Sequence, residues 1–255
     1  MRPHAHTVTP AGIVALALAA AGWASAVRAQ QASEPVMRRF AVTVNMDFYN
    51  TYAHSSVEQA LRSGGMGDVF PGGCIFGFCS PPVRHPLSDD GRRVATVTAS
   101  YRLTRLLEVR AQYSNADLGS TEGYHADSTG YFGTFLTVAQ RMQTFAVLAA
   151  VRGTDNVWLA AGPSLNHATI ADVSSDPASR TSSSAVAPGA VIGAGITTGS
   201  RSLVFAELRG EYRLVLPLRL GPIGWPGSGG TLAPLPRSRM SFSYGLIALG
   251  GGVRL

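Results

Sequence analysis

The sequence predicts an all-β fold, an eight-stranded antiparallel transmembrane β-barrel, and three observations carry the prediction. Eight stretches alternate apolar and polar residues with a period of two. The connections between them alternate strictly between short and long. No segment reaches the roughly 18 consecutive apolar residues that a membrane-spanning helix needs, so any insertion must use strands. The composition agrees: 45% of the 255 residues are hydrophobic but only 14% are charged, against roughly 25% in ordinary soluble domains, and small residues with 29 Gly fill the difference. That hydrophobicity excludes a disordered chain, and two Cys exclude a disulfide-stapled miniprotein.

The first 29 residues read as an export signal. Arg2 supplies a positive start, and Ala11 to Trp23 (AGIVALALAAAGW) is an apolar core too short for a bilayer span. Val27-Arg28-Ala29 places small residues before Gln30, so cleavage is expected after Ala29. Losing Arg2 and Arg28 takes the formal charge from +6 to +4. Residues 30–38 form a short segment, and 39–255 form the barrel domain.

The first strand begins at Phe40, where Phe40, Val42, Val44, Met46 and Phe48 alternate with Ala41, Thr43, Asn45, Asp47 and Tyr49. Val94 to Leu103 and Leu107 to Tyr113 repeat the pattern around Thr104-Arg105 and form a hairpin. Further strands are expected at Val138 to Arg152, Val157 to His167, Ala185 to Thr198, Leu203 to Leu216 and Met240 to Leu255. Pro188 with three Gly, and Gly162-Pro163, mark the sixth and fifth strands as irregular. Turns sit at Gly153-Thr154-Asp155-Asn156 and Thr198-Gly199-Ser200-Arg201. The long connections are Thr51 to Arg93, Ala116 to Thr137, Ala168 to Ser184 and Pro217 to Arg239. A soluble sandwich has no reason to alternate in this way, whereas an outer-membrane barrel has short periplasmic turns and long extracellular loops.

Charge placement sets the polarity. Glu207, Arg209, Glu211 and Arg213 crowd one face of their strand while Val204, Ala206, Leu208, Tyr212 and Leu214 take the other. Unpaired buried charges cost several kcal/mol, so that face must meet water or opposite charge. In a narrow eight-stranded lumen, Glu108, Glu207 and Glu211 would pair with Arg110, Arg209 and Arg213 and fill the interior.

Eight amphipathic strands behind a signal, closing on YGLIALGGGVRL, resemble the small outer-membrane β-barrel family that includes the transmembrane domain of outer membrane protein A. The likeness covers nearly the whole mature chain. Ile247, Leu249, Val253 and Leu255 keep the family's alternation, while Gly251 interrupts it and Leu255 stands where the family has an aromatic residue. The resemblance implies a monomer handled by the barrel assembly machinery during biogenesis, with outer-membrane lipids and lipopolysaccharide as partners.

Gln112-Tyr113-Ser114-Asn115 resembles the His-x-Ser-Asn segment of outer-membrane lipid A deacylases. Gln112 stands at the His position and cannot take the serine proton, so no catalytic residue is assigned. Cys74 and Cys79 flank Ile-Phe-Gly-Phe in the first long loop, and export permits a disulfide between them. A metal pair is disfavoured, because the nearest histidine in sequence is His85 and no Cys-x-x-Cys spacing exists. The apolar tip Ile75, Phe76 and Phe78 is expected to fold over the barrel mouth rather than meet a partner. His54, His85, His125 and His167 are scattered through loops and read as solvated, so no metal site and no cofactor are expected. Arginine never runs longer than two, which argues against nucleic acid; Arg62, Arg84, Arg92, Arg93, Arg219, Arg237 and Arg239 are expected to meet lipopolysaccharide phosphates. Ile-Gly-Trp-Pro-Gly-Ser-Gly-Gly lacks the Lys-Ser/Thr of a phosphate loop. The expected function is non-enzymatic, in envelope integrity or loop-mediated surface binding. The alternatives are a lipid A deacylase-like enzyme, a small passive channel of porin-like type, and a soluble secreted β-protein.

Overall fold

The computed structural model describes residues 39–67, 69–70, 74–75, 78–79, 83–84, 88–89, 93–126, 133–154, 156–174, 180–198, 202–224 and 235–255. The expected signal, its cleavage site and segment 30–38 lie outside them. Eight long strands make the barrel: β1 Phe40–Asn50, β2 Arg93–Arg102, β3 Leu107–Ala126, β4 Gly133–Arg152, β5 Val157–Asp172, β6 Ser182–Thr197, β7 Val204–Val215 and β8 Tyr244–Arg254. Each pairs antiparallel with its neighbour in sequence, and β1 pairs with β8 from Ala41 opposite Arg254 to Asn50 opposite Leu246. The ring therefore closes over the belt where all eight strands overlap.

The side chains show an inside-out polarity. Along β7, Val204, Leu208, Tyr212 and Leu214 are exposed, whereas Glu207, Arg209, Glu211 and Arg213 are buried inside. The same parity puts Thr96, Thr98 and Arg102 of β2 inside with Val97 and Tyr101 outside. Two of the short turns share one device: the Thr104 hydroxyl accepts from Leu106 and Leu107 N–H, and the Thr154 hydroxyl accepts from Asn156 and Val157 N–H. Such hydroxyl-to-backbone bonds satisfy turn amides that have no ladder partner.

The strands differ from expectation at the opposite end. The connections expected at Ala116 to Thr137 and Ala168 to Ser184 are strand at both their ends, since β3 and β4 each run 20 residues and β5 and β6 each run 16. The reason is a reversal of amphipathicity within single strands. Tyr113, Phe145 and Leu165 form a register row pointing outward, and the next outward row is Asn115, Gln143 and His167. Beyond that row most inward residues become apolar, namely Ala116, Leu118, Leu136, Val138, Ala168 and Ile170, with Thr121, Gln140 and Asp172 as buried polar exceptions. Period two persists through the reversal, but its sign changes, so a search for apolar-outward strands stops too early. A bulge between Asp117 and Ser120 lies at this level, with Gly119 at φ 85°, a conformation open to glycine at no steric cost.

A compact apolar plug fills the barrel behind that reversal. Helix α1, Ser55–Ser63, lies inside the first long connection and buries Val57, Ala60 and Leu61. Tyr52 stacks on Phe242 with ring centroids 6.0 Å apart and meets Tyr244 edge-on at 6.4 Å. The last strand begins at Tyr244 rather than Met240. Ser238–Met240 instead pairs with Leu218–Leu220 in a separate two-stranded ribbon, which puts Leu218, Leu220 and Met240 into the plug. His54 also departs from expectation: it is buried, with Nδ1 3.0 Å from the Thr121 hydroxyl, which also accepts from Gln140 Nε2 at 2.6 Å. Tyr52 completes this polar group by donating to Gln140 Oε1 at 2.8 Å.

β5 and β6 are regular despite their prolines. Pro163 and Pro188 point outward, and the β5–β4 ladder skips Gly162-Pro163 and resumes in the same register. Glycine is needed on β6 for close approach: Gly195 lies opposite Trp158, and a Cβ there would clash with the indole ring. Gly195→Val is expected to lower the denaturant unfolding midpoint by the equivalent of about 1–3 kcal/mol, the usual cost of overpacking. The control is Ala194→Val on the outward face of the same strand, whose unfolding curve should overlay the parent.

Candidate functional site

β7 projects Glu207, Arg209, Glu211 and Arg213 into the lumen at every second residue, the spacing that aligns side chains on one face of a strand. β3 contributes Glu108 and Arg110 from across the barrel. The structure divides the six between two adjacent clusters on the same two strands, Arg209, Glu211 and Arg213 in one and Glu108, Arg110 and Glu207 in the other. Glu211 forms an ion pair with Arg209 Nη1 at 3.2 Å, accepts from Arg213 Nη2 at 3.1 Å, and accepts from Gln112 Nε2 at 2.7 Å. Glu108 splits its oxygens between Arg110 Nε and Arg152 Nε, each at 2.7 Å. Glu207 takes Arg110 Nη1 at 3.3 Å and Trp158 Nε1 at 3.0 Å on one oxygen, and Asn45 Nδ2 at 3.1 Å on the other.

The arginines reach further round the wall. Arg213 donates to the Ser114 hydroxyl, to Tyr244 Oη at 3.1 Å and to Thr96 Oγ1 at 3.3 Å, while Arg209 donates to Thr98 Oγ1 at 3.3 Å. The Arg110 guanidinium lies 3.7 Å from the Trp158 ring centroid, and that of Arg254 lies 3.9 Å from Phe205. Seven of the eight strands are thereby tied through side chains that are almost wholly buried; Glu207 and Arg209 are each 1% exposed. Burying such charges is expensive, so every carboxylate here has at least two donors, which is what makes the arrangement tenable.

Sequence reasoning passed over Arg152, Asn45, Trp158 and Tyr244. Their inward parity was readable, but pairing across the barrel depends on shear, which no local pattern contains. Gln112 and Ser114, which resemble a degenerate catalytic pair, point into this network, and Ser114 is fully buried against Arg213. A lipid outside the wall does not reach that hydroxyl. Among the described residues no group of three or more His, Cys, Asp or Glu is placed to hold a metal ion. His167 points outward and is exposed, while the side chains of His85 and His125 lie outside the described residues. The backbone register sets Cys74 opposite Cys79, but their side chains, like those of Ile75, Phe76 and Phe78, lie outside the described residues, so the expected disulfide falls there too.

The loop arginines separate into different settings. Arg93 on β2 stands opposite Asp117, which stands opposite Arg141. Arg62 is exposed on α1, and the side chains of Arg84 and Arg92 lie outside the described residues. Arg219 and Arg239 are exposed on the two-stranded ribbon, and Arg237 is exposed immediately before its second strand.

No family model matches the chain, and no curated protein matches it either. Solved structures do. Its structural neighbours are small outer-membrane β-barrel proteins. They include Ail, the attachment invasion locus protein of Yersinia pestis, at 11% identity and TM-score 0.39, covering 86% of this chain and 100% of that one. Neisserial surface protein A aligns at 10% identity and TM-score 0.43, over 87% of this chain and 100% of its own. The N-terminal β-barrel domain of Pseudomonas aeruginosa OprF aligns at 12% identity and TM-score 0.34, over 85% and 98% respectively. At such identities and TM-scores the likeness decides nothing about activity, and the fold stands on this chain's own strand register and burial.

Glu211→Gln removes the charge shared by Arg209 and Arg213 and is expected to destabilise the protein by about 3–5 kcal/mol, the cost of leaving a buried partner uncompensated. Urea unfolding followed by Trp fluorescence measures it. An unchanged midpoint would mean that the face of β7 carrying Glu211 is hydrated.

Proposed function

We propose that the chain is an integral outer-membrane β-barrel, closed to solutes, which acts without catalysis through its loop end in envelope integrity or surface binding. The observation that carries this reading is the reversal of polarity along the strands. An exterior with Phe48, Leu208, Ile192, Leu165 and Leu249 all more than 40% exposed is untenable in water but suits hydrocarbon. The same strands turn polar outside and apolar inside beyond the row of Tyr113, Phe145 and Leu165, as a wall leaving a bilayer must. Closed rings of paired strands are the one β-architecture whose backbone can be satisfied in lipid.

Orientation follows from the connections. The three short turns gather at the end where Phe40 pairs with Tyr101 and bonds Leu255, and that end is assigned to the periplasm. α1, the ribbon and the extended β3–β4 hairpin then face the cell exterior. The lumen between the two ends is filled, first by the arginine–glutamate network and then by the apolar plug, which favours a closed barrel over a channel.

Two measurements test this. The protein expressed with its signal is expected in the outer-membrane fraction, with unboiled and boiled samples migrating differently on a denaturing gel; recovery as a soluble periplasmic protein would refute the reading. For the folded protein in phosphatidylcholine vesicles, Leu208→Arg is expected to cost about 2–4 kcal/mol in urea unfolding, the penalty for arginine on a lipid face near the midplane. Asn115→Arg, one outward row beyond Tyr113, should be nearly neutral.

A further inference from the structure

We propose that the ribbon formed by Leu218–Leu220 and Ser238–Met240 is a phosphate-binding site, with Arg219 and Arg239 as its jaws and Arg237 beside them. The inference deepens the outer-membrane reading and rests on it, because it names the group that the loop end would hold at the bilayer surface.

The ribbon has two unlike faces. Leu218, Leu220 and Met240 are buried in the plug, which fixes its orientation, and Arg219, Arg237 and Arg239 are exposed on the other side. Arg219 and Arg239 are direct register partners. Side chains opposite one another in an antiparallel pair start about 4.5–5.5 Å apart at Cβ, and like charges in that position repel. Two guanidinium forks at this spacing suit a phosphate, whose oxygens accept bidentate pairs from arginine and cancel the repulsion.

Internal neutralisation is missing from this part of the chain. After Glu211 the sequence contains no Asp or Glu, so the whole connection between β7 and β8 carries arginine and no acid. No ion pair joins these three arginines to a carboxylate among the described residues. Arg93, by contrast, has Asp117 as its register partner. Position adds a second argument. The outward apolar run of β7 ends at Leu214, Leu216 continues it just past the strand, both about half exposed, and Arg219 follows three residues later. That places the arginine pair just past the hydrocarbon edge, at the depth of lipid phosphates.

The test uses the folded mature protein in a zwitterionic detergent and the double variant R219S/R239S, with unchanged heat-modifiable migration as the check on folding. The probes are bisphosphorylated lipid A, the same lipid A after phosphatase treatment, and inorganic phosphate. Lipid A is expected to bind the parent about tenfold more tightly than the variant, the loss appropriate to charge-assisted hydrogen bonds. Phosphatase treatment should abolish the difference. Inorganic phosphate competing with lipid A in the parent would show that the free anion suffices, while failure to compete would assign the site to a lipid-borne phosphate. Equal binding of lipid A by parent and variant, or an undiminished difference after phosphatase treatment, would overturn the proposal. Because binding is read in detergent and the barrel is read on the gel, failure here leaves the outer-membrane reading standing or falling on its own measurement.

Discussion

The organisation of the molecule follows from one constraint: its outer surface is apolar over the belt of the barrel, so polar groups that a soluble protein would turn to water must be satisfied inside. Glu207, Arg209, Glu211 and Arg213 of β7 face a lumen too narrow for bulk solvent, and they are tolerable because Glu211 pairs with Arg209 and Arg213 on its own strand while Arg110 crosses from β3 to Glu207, Glu108 in turn holding Arg110 and Arg152. The smallness of β6 is part of the same solution. Gly193 and Gly195 take up almost no lumen, leaving room for Glu211 on one side and Trp158 on the other. Trp158 in turn supports Arg110 through its ring and Glu207 through its N–H.

The constraint changes sign along the strand. Past Tyr113, Phe145 and Leu165 the exterior becomes polar, with Asn115, Gln143 and His167, and the interior has to supply a conventional apolar core. α1, Tyr52, Phe242 and the arginine-bearing ribbon provide it. One closed sheet thus serves two solvents, and its lumen is a salt-bridge lattice near the turns and a hydrophobic core near the loops. The ribbon's arginines are exposed as a consequence: Leu218, Leu220 and Met240 anchor in that core, so residues of opposite parity must point away from it.

Much of the barrel was legible because alternation is a local property. Faces assigned from Phe40 to Phe48, Val94 to Leu103 and Val204 to Leu214 need only the order of neighbouring residues, and the six charged candidates share parity with the buried positions. The extensions of β3 to β6 were not legible in the same way, since Leu118, Leu136 and Ile170 lie on the face that holds charges lower down. α1 was missed because Ser55–Ser63 packs its apolar stripe into a cavity that exists only once the ring has closed. His54 was read as a solvated loop residue, yet Thr121 and Gln140, distant in sequence, enclose it.

The sequence by itself determined the all-β class, the number of strands, the charged face of β7 and the lack of any acid beyond Glu211, all of which are periodicities or compositions of contiguous residues. Tertiary structure decided which charges meet, where the strands change polarity, what fills the loop end, and that Arg219 stands directly opposite Arg239. Those outcomes depend on ring closure and on the stagger between strands, which bring together residues distant in the chain, such as Arg209 and Thr98. Local pattern carries no information about that stagger.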